Sequence, residues 1–143
     1  FNVIPQVDVF ESNGYTREEM KVVWEVRKVL QLPDLPISTT AVRVPTLRSH
    51  AESLSIRFAQ PIASLDAARE LLRHSPGVEL VDRPDQASYP MPITSTYKHA
   101  VEVGRLRYNL IYGQYGLDMF ISGDQLLRGA ALNAFEIMQL VID

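Results

Sequence analysis

The stretch from Ala41 to Ser53, AVRVPTLRSHAES, holds Arg43 and, in an Arg-x6-His spacing, His50. The planar guanidinium fork of an arginine suits two-point capture of a carboxylate. An imidazole changes protonation near neutral pH and moves protons as acid or base. Together they make half of an active site. The other half, a nucleophile, is missing: the chain has no cysteine and no Ser–His–Asp arrangement. Each residue also has a plainer reading, Arg43 as a structural ion pair or edge-strand arginine and His50 as a surface turn residue.

Glu18 and Lys21 lie three apart on a helical pattern. Such a pair reads as a solvated salt bridge, or as two opposite charges that meet a substrate carrying both an ammonium and an anion. Of the other histidines, His74 ends a helical pattern, where a cation suits the helix dipole, and His99 sits beside Lys98 in a polar loop. Both read as surface residues. Gly113 and Gly116, in GQYG, match no phosphate-binding pattern and precede no helix. The three histidines lie far apart without an acidic cluster, so no metal-ligand spacing is present.

These residues need elements to position them. Thr16, with Glu19 three residues on, predicts a capped helix running to about Leu32, where Pro33 and Pro36 stop it. Its apolar side carries Met20, Val23, Trp24, Val26, Val29 and Leu30. Residues 37–44 are rich in Ile, Val and Thr and predict a strand ending near Arg43. Residues 52–59 alternate, with Leu54, Ile56 and Phe58 on one side, which predicts a strand with one covered face. Ser64 caps a short helix over 64–74. Strands are predicted over 78–82, 101–110 and 117–122, with a long, proline-rich surface segment over 83–96. A final helix is expected from about Gln125 to Ile142. Strands follow strands without a helix between them in two places, which favours an α+β fold with a mostly antiparallel or mixed sheet and helices on one face.

The chain has 143 residues, 46% of them hydrophobic, and a formal net charge of −3. That length supports a real core, and that charge argues against a nucleic-acid binder, which needs a basic face. The absence of cysteine excludes disulfides and thiolate metal sites and fits a cytoplasmic protein. The longest apolar runs fall far short of the roughly 20 residues that span a bilayer, and no signal peptide is visible. The opening Phe1-Asn2-Val3-Ile4-Pro5, without an initiator methionine, reads as an excised domain.

The segments FNVIPQ, GYTREEMK, AVRVPTLRSHAES, EVGRLR and GDQLLRGAALNAFEI occur in an order that resembles the C-terminal catalytic and dimerisation domain of bacterial aspartate-β-semialdehyde dehydrogenases. The resemblance spans essentially the whole chain, residues 1–143. It implies the fold of the C-terminal domain of glyceraldehyde-3-phosphate-dehydrogenase-like enzymes. It also implies an NADP-dependent oxidoreductase interconverting aspartyl-β-phosphate and aspartate semialdehyde through a cysteine thioacyl intermediate, on the route to lysine, threonine and methionine. On this resemblance Arg43 grips the substrate α-carboxylate, Glu18 receives the α-ammonium, Lys21 serves the phosphate site, His50 is the acid–base histidine and Gln125 approaches the nicotinamide. Gln6 stands where many relatives have histidine, and Ser49 where many have glycine.

The same resemblance places the NADP-binding Rossmann domain and the catalytic cysteine outside these residues, so the chain by itself is expected to lack dehydrogenase activity. A homodimer is expected through the sheet face, with no metal, nucleic acid or membrane partner. The final helix packs on the nucleotide domain in the family, so its apolar surface is expected to be exposed or paired here. Two other readings stand beside this one: a non-catalytic paralogue kept for dimerisation or interaction, and a related acyl-phosphate reductase acting on an acetylated substrate, for which Glu18 has no partner.

Overall fold

The computed structural model describes residues 1–142. It divides into two compact units, residues 1–46 and the remainder from Leu47 onward.

The first unit is organised by helix α1 (Arg17–Leu30). Its start is the capping box expected from the sequence: Thr16 Oγ1 accepts from Glu19 N at 3.3 Å, and Glu19 Oε2 accepts from Thr16 N at 2.7 Å. Acidic residues in its first turn and basic ones in its last complement the helix dipole. Gln31 stops the helix by turning into the left-handed region at φ 56°, where the N–H of Leu32 donates back to Arg27 O. Val23 is the buried hydrophobic residue of α1.

The expected strand over 37–44 does not form. Its β-branched residues favour extended backbone, but a strand also needs a neighbour to hydrogen-bond. The segment finds one only at a single antiparallel bridge, Ile4 with Arg43. Two residues earlier, Ala41 N donates to the Glu19 side chain instead.

The second unit is a four-stranded mixed sheet with helices. In chain order it contains β1 (His50–Arg57), α2 (Leu65–Arg73), β2 (Val78–Leu80), the single turn α3 (Pro92–Ser95), β3 (Val101–Asn109), β4 (Gly113–Gly123) and α4 (Leu132–Ile142). The sheet order is β1-β4-β3-β2. β1 and β3 flank β4 antiparallel, and the short edge strand β2 runs parallel to β3. One face gathers Leu54, Ile56, Leu117, Met119, Ile121 and Val103 against Leu65, Ala68 and Leu72 of α2, and this is the core. Ser64 caps α2 by accepting from Ala67 N at 3.0 Å.

The opposite face carries Ser53, Ser55 and Arg57 of β1 in register with Phe120, Asp118 and Gly116 of β4. Part of it is roofed by the segment through Pro90 and α3. That segment was expected to lie at the surface, but Pro90 and Ser95 are fully buried. The reason is Gly104: a Cβ there would sit 1.9 Å from Val81 O and 2.7 Å from Pro90 Cδ, so the missing side chain is what lets the proline onto the sheet.

Gly113 closes the β3–β4 hairpin at φ +55°, and Asn109 Oδ1 caps the turn by accepting from Ile111 N and Tyr112 N. GQYG is therefore the start of a strand. The last helical segment begins with a π-helical turn, Leu127–Ala131, before α4. Phe135, Ile137, Met138, Leu140 and Val141 of α4 are exposed, as expected. Among the described residues, no helix is long and apolar enough to cross a membrane.

Candidate functional site

In the first unit, Lys21 Nζ lies 3.1 Å from Glu18 Oε2, both side chains being about half exposed. The hydrogen bond to Glu18 holds the Lys21 ammonium above its ordinary value, so it stays charged at neutral pH. Arg43 is fixed by its backbone, which exchanges two hydrogen bonds with Ile4 at 2.9 and 3.0 Å. Its guanidinium is exposed and, among the described residues of its unit, makes no ion pair. The structural ion pair weighed for it is thus not found within its unit.

Glu19 joins these pieces. One carboxylate oxygen closes the capping box, and the other accepts from Ala41 N at 2.7 Å. The strand-less segment that carries Arg43 is thereby pinned to the helical turn that carries Glu18 and Lys21. The N–H groups of Thr16 and then Ala41 hold the Glu19 carboxyl below the usual range, against the opposing effect of burial. In the sequence Glu19 is visible only as a cap, because its second acceptor oxygen meets a residue far along the chain.

In the second unit, His50 is the first residue of β1, exposed, and paired with Gly123. Its carbonyl accepts from Ser122 Oγ at 3.0 Å, and Ser122 Oγ lies 2.8 Å from Ser95 Oγ, both serines being fully buried. The preceding residue, Ser49, is buried with φ +73°, and its hydroxyl lies 3.0 Å from Thr96 Oγ1. That φ favours glycine. Gln125 follows Gly123 by two residues, so it leaves the sheet at the His50 end. Its Oε1 is buried without a hydrogen-bond partner among the described residues.

Asp124 lies between them with a fully buried side chain. Its Oδ2 accepts from Arg48 Nε and Tyr97 N, each at 2.8 Å, and its Oδ1 accepts from Leu126 N at 3.1 Å. Burial pushes its carboxyl up, but these donors and the Arg48 charge more than offset that and leave it below the usual range. Asp124 and Arg48 were not singled out from the sequence. The visible signal was an Asp just ahead of a helix, which reads as an ordinary cap.

The first unit thus offers a carboxylate, an ammonium and an unpaired guanidinium. The second offers an imidazole at a strand end and an amide oxygen that lacks a donor. The fold is that of an α+β C-terminal domain of an oxidoreductase, of the kind found in aspartate semialdehyde dehydrogenases. The chain belongs to the semialdehyde dehydrogenase dimerisation domain family, whose model matches residues 1–128. It is 42% identical over 142 residues to an aspartate-semialdehyde dehydrogenase of Legionella pneumophila, covering 99% of this chain and 40% of that protein. It is 42% identical over 139 residues to one from Bacillus subtilis, covering 97% of this chain and 40% of that protein. Among solved structures, aspartate semialdehyde dehydrogenase II from Vibrio cholerae superposes with a TM-score of 0.92 at 36% identity, covering 99% of this chain and 41% of that one. The same enzyme has been solved in complex with ASA, and that structure gives a TM-score of 0.92 at 35% identity. The chain spans about 40% of the length of the relatives it matches.

Proposed function

We propose that these residues form the substrate-binding and dimerisation part of an NADP-dependent aspartate-semialdehyde dehydrogenase. The reaction converts aspartate semialdehyde, phosphate and NADP to aspartyl-β-phosphate and NADPH. The observation that carries this reading is the Glu19 clamp, which ties an unpaired arginine to a carboxylate–ammonium pair. A substrate with a carboxylate, an ammonium and a phosphate partner needs that set of charges. Arg43 takes the α-carboxylate through two parallel N–H donors, Glu18 takes the α-ammonium and Lys21 takes the phosphate.

His50 serves the tetrahedral thiohemiacetal. In the oxidative direction the neutral imidazole removes the hydroxyl proton as the C–H hydride departs, and in the reverse direction the imidazolium returns it. The chain has no cysteine, so the nucleophile lies outside these 143 residues, together with the Rossmann domain that would hold most of the cofactor. NADP, when bound, supplies the hydride acceptor. The fit on this chain is Gln125, whose buried, donor-less Oε1 would accept from the nicotinamide carboxamide. The sheet face bearing Ser53, Ser55, Arg57, Asp118 and Phe120 is the one through which we place the homodimer, and the cytoplasm is the compartment this biosynthetic role requires.

The test is NADPH formation by the full-length protein that carries this segment, given aspartate semialdehyde and phosphate. Arg43→Lys keeps the charge but loses the two-point fork, a charge-assisted hydrogen bond worth about 1.5–3 kcal/mol, so kcat/KM is expected to fall by ~10-fold or more. The 143-residue chain alone is expected to form no NADPH. Substrate-dependent NADPH formation by the chain alone, or an Arg43→Lys enzyme of unchanged kcat/KM, would overturn the assignment.

A further inference from the structure

Three polar groups at one end of the sheet do more than the fold of their own elements asks of them. Asp124 sits where the chain leaves β4, and a residue there needs only to cap the following turn, which its bond from Leu126 N does. Asn or Ser caps as well as Asp, and neither needs a full charge. Yet Asp124 is an entirely buried carboxylate that also takes donors from two distant segments, Arg48 ahead of β1 and the Tyr97 N–H after α3.

Both of those segments are held in backbone conformations that side chains disfavour: Ser49 at φ +73° and Tyr97 at φ +66°. Strain of this kind persists only where surrounding contacts over-determine it. Arg48 is itself fixed twice, by Asp124 and by stacking 4.2 Å from the Tyr97 ring centroid. The two residues that follow these anchors are His50, two positions after Arg48, and Gln125, next to Asp124.

We propose that Asp124 is a positioning residue that sets His50 and Gln125 in one fixed relation, acting through Arg48 and the strained Ser49 turn on one side and through its own turn on the other. The inference rests on the proposed function, and it adds that a single buried charge, one hydrogen bond and two residues away from His50, decides how well the imidazole is aimed. A buried carboxylate that only stabilised the fold would affect His50 and any other residue alike.

Asp124→Asn keeps the size and the capping oxygen but removes the charge. In the full-length protein this variant is expected to lower kcat tenfold or more while KM for aspartate semialdehyde stays within about threefold, because substrate capture lies with other residues. In a His50→Gln background the same change is expected to cost markedly less, only the part that runs through Gln125, since two residues acting as one unit are not additive. Arg48→Lys, which keeps a cation but loses the Nε–H donor, is expected to fall between wild type and Asp124→Asn, and carries the test if Asp124→Asn does not fold. Wild-type kcat in Asp124→Asn, or an equal fold-loss with and without His50, would overturn the proposal.

A second readout does not depend on turnover. The ring proton resonances of His50 are expected to shift and broaden in Asp124→Asn, and an unchanged His50 spectrum would overturn the proposal even in an active enzyme. Should the wild-type full-length protein form no NADPH, the proposed function fails, and the spectrum still decides whether Asp124 aims His50.

Discussion

Gly104→Ala adds one methyl group where the sheet leaves no room for it. The added Cβ would stand 1.9 Å from Val81 O, 2.9 Å from Val81 C and 2.7 Å from Pro90 Cδ, whereas carbon atoms in contact sit at about 3.5 Å. Two of these three neighbours are backbone and cannot rotate away. Relief requires the Val81 carbonyl and the Pro90 ring to retreat by over ~1 Å. Overpacking of this kind costs about 1–3 kcal/mol. The retreat also breaks the Val81 N to Val103 O hydrogen bond, now 2.8 Å, worth about 1 kcal/mol. A total of ~2–4 kcal/mol is a large part of the roughly 5–15 kcal/mol that holds a domain. At about 4–8 °C per kcal/mol for a unit of this size, the melting temperature should fall by ~10 °C or more. Circular dichroism melts of the chain measure this, and hydrogen exchange at Val81 should accelerate most. Gly14→Ala is the control: its φ is +84° but nothing lies within 4 Å, so only the left-handed penalty of about 1–2 kcal/mol applies. A Gly104→Ala melt within a few degrees of wild type would refute the close-approach argument.

Two further outcomes follow from the site. Glu19 has a carboxyl lowered in the folded chain, so the stability it contributes is present above the unfolded value and is lost as pH falls through the lowered one. Glu19→Gln should flatten acid unfolding in that window and loosen residues 41–43, read by urea titrations at several pH values, and an unaltered acid limb would count against the clamp. At Ser49, Ala and Gly both lose the Thr96 hydrogen bond, but only Gly relieves the φ of +73°. Ser49→Gly should therefore be more stable than Ser49→Ala by about 1 kcal/mol in urea unfolding, and the opposite order would remove the strain from the account.

Local signals were legible wherever an element is decided by its own residues. The Thr16–Glu19 box, the Ser64 cap, the alternation through Leu54 and Ile56 and the hairpin strands all appear close to where the sequence puts them. The segment over 37–44 failed for the complementary reason. Its propensity is extended, but whether an extended segment becomes a strand is decided by a partner, and Glu19 took the Ala41 donor. Pro90 and Ser95 were misread as surface because burial there depends on Gly104, distant in sequence. The same logic divides the candidate site. Arg43, His50, Glu18, Lys21 and Gln125 were proposed from type and ordered motif. Asp124, Arg48 and the second role of Glu19 were not, because each acts through a bond between residues that lie far apart in the chain.

The placing of β1 also carries a consequence for the order in which the molecule comes into being. Among the described residues β1 is an edge strand whose one neighbour in the sheet is β4. His50 O is tied to Ser122, 72 positions later. While the chain leaves the ribosome, the turn bearing His50 has no strand to rest on until Gly113–Gly123 has emerged. Pairing over such separations is slow to nucleate. The His50 ring therefore takes its place among the last events of folding, and a nascent chain halted before Ser122 would hold Ala41 and Arg43 through Glu19 and Ile4 but leave His50 without its strand partner.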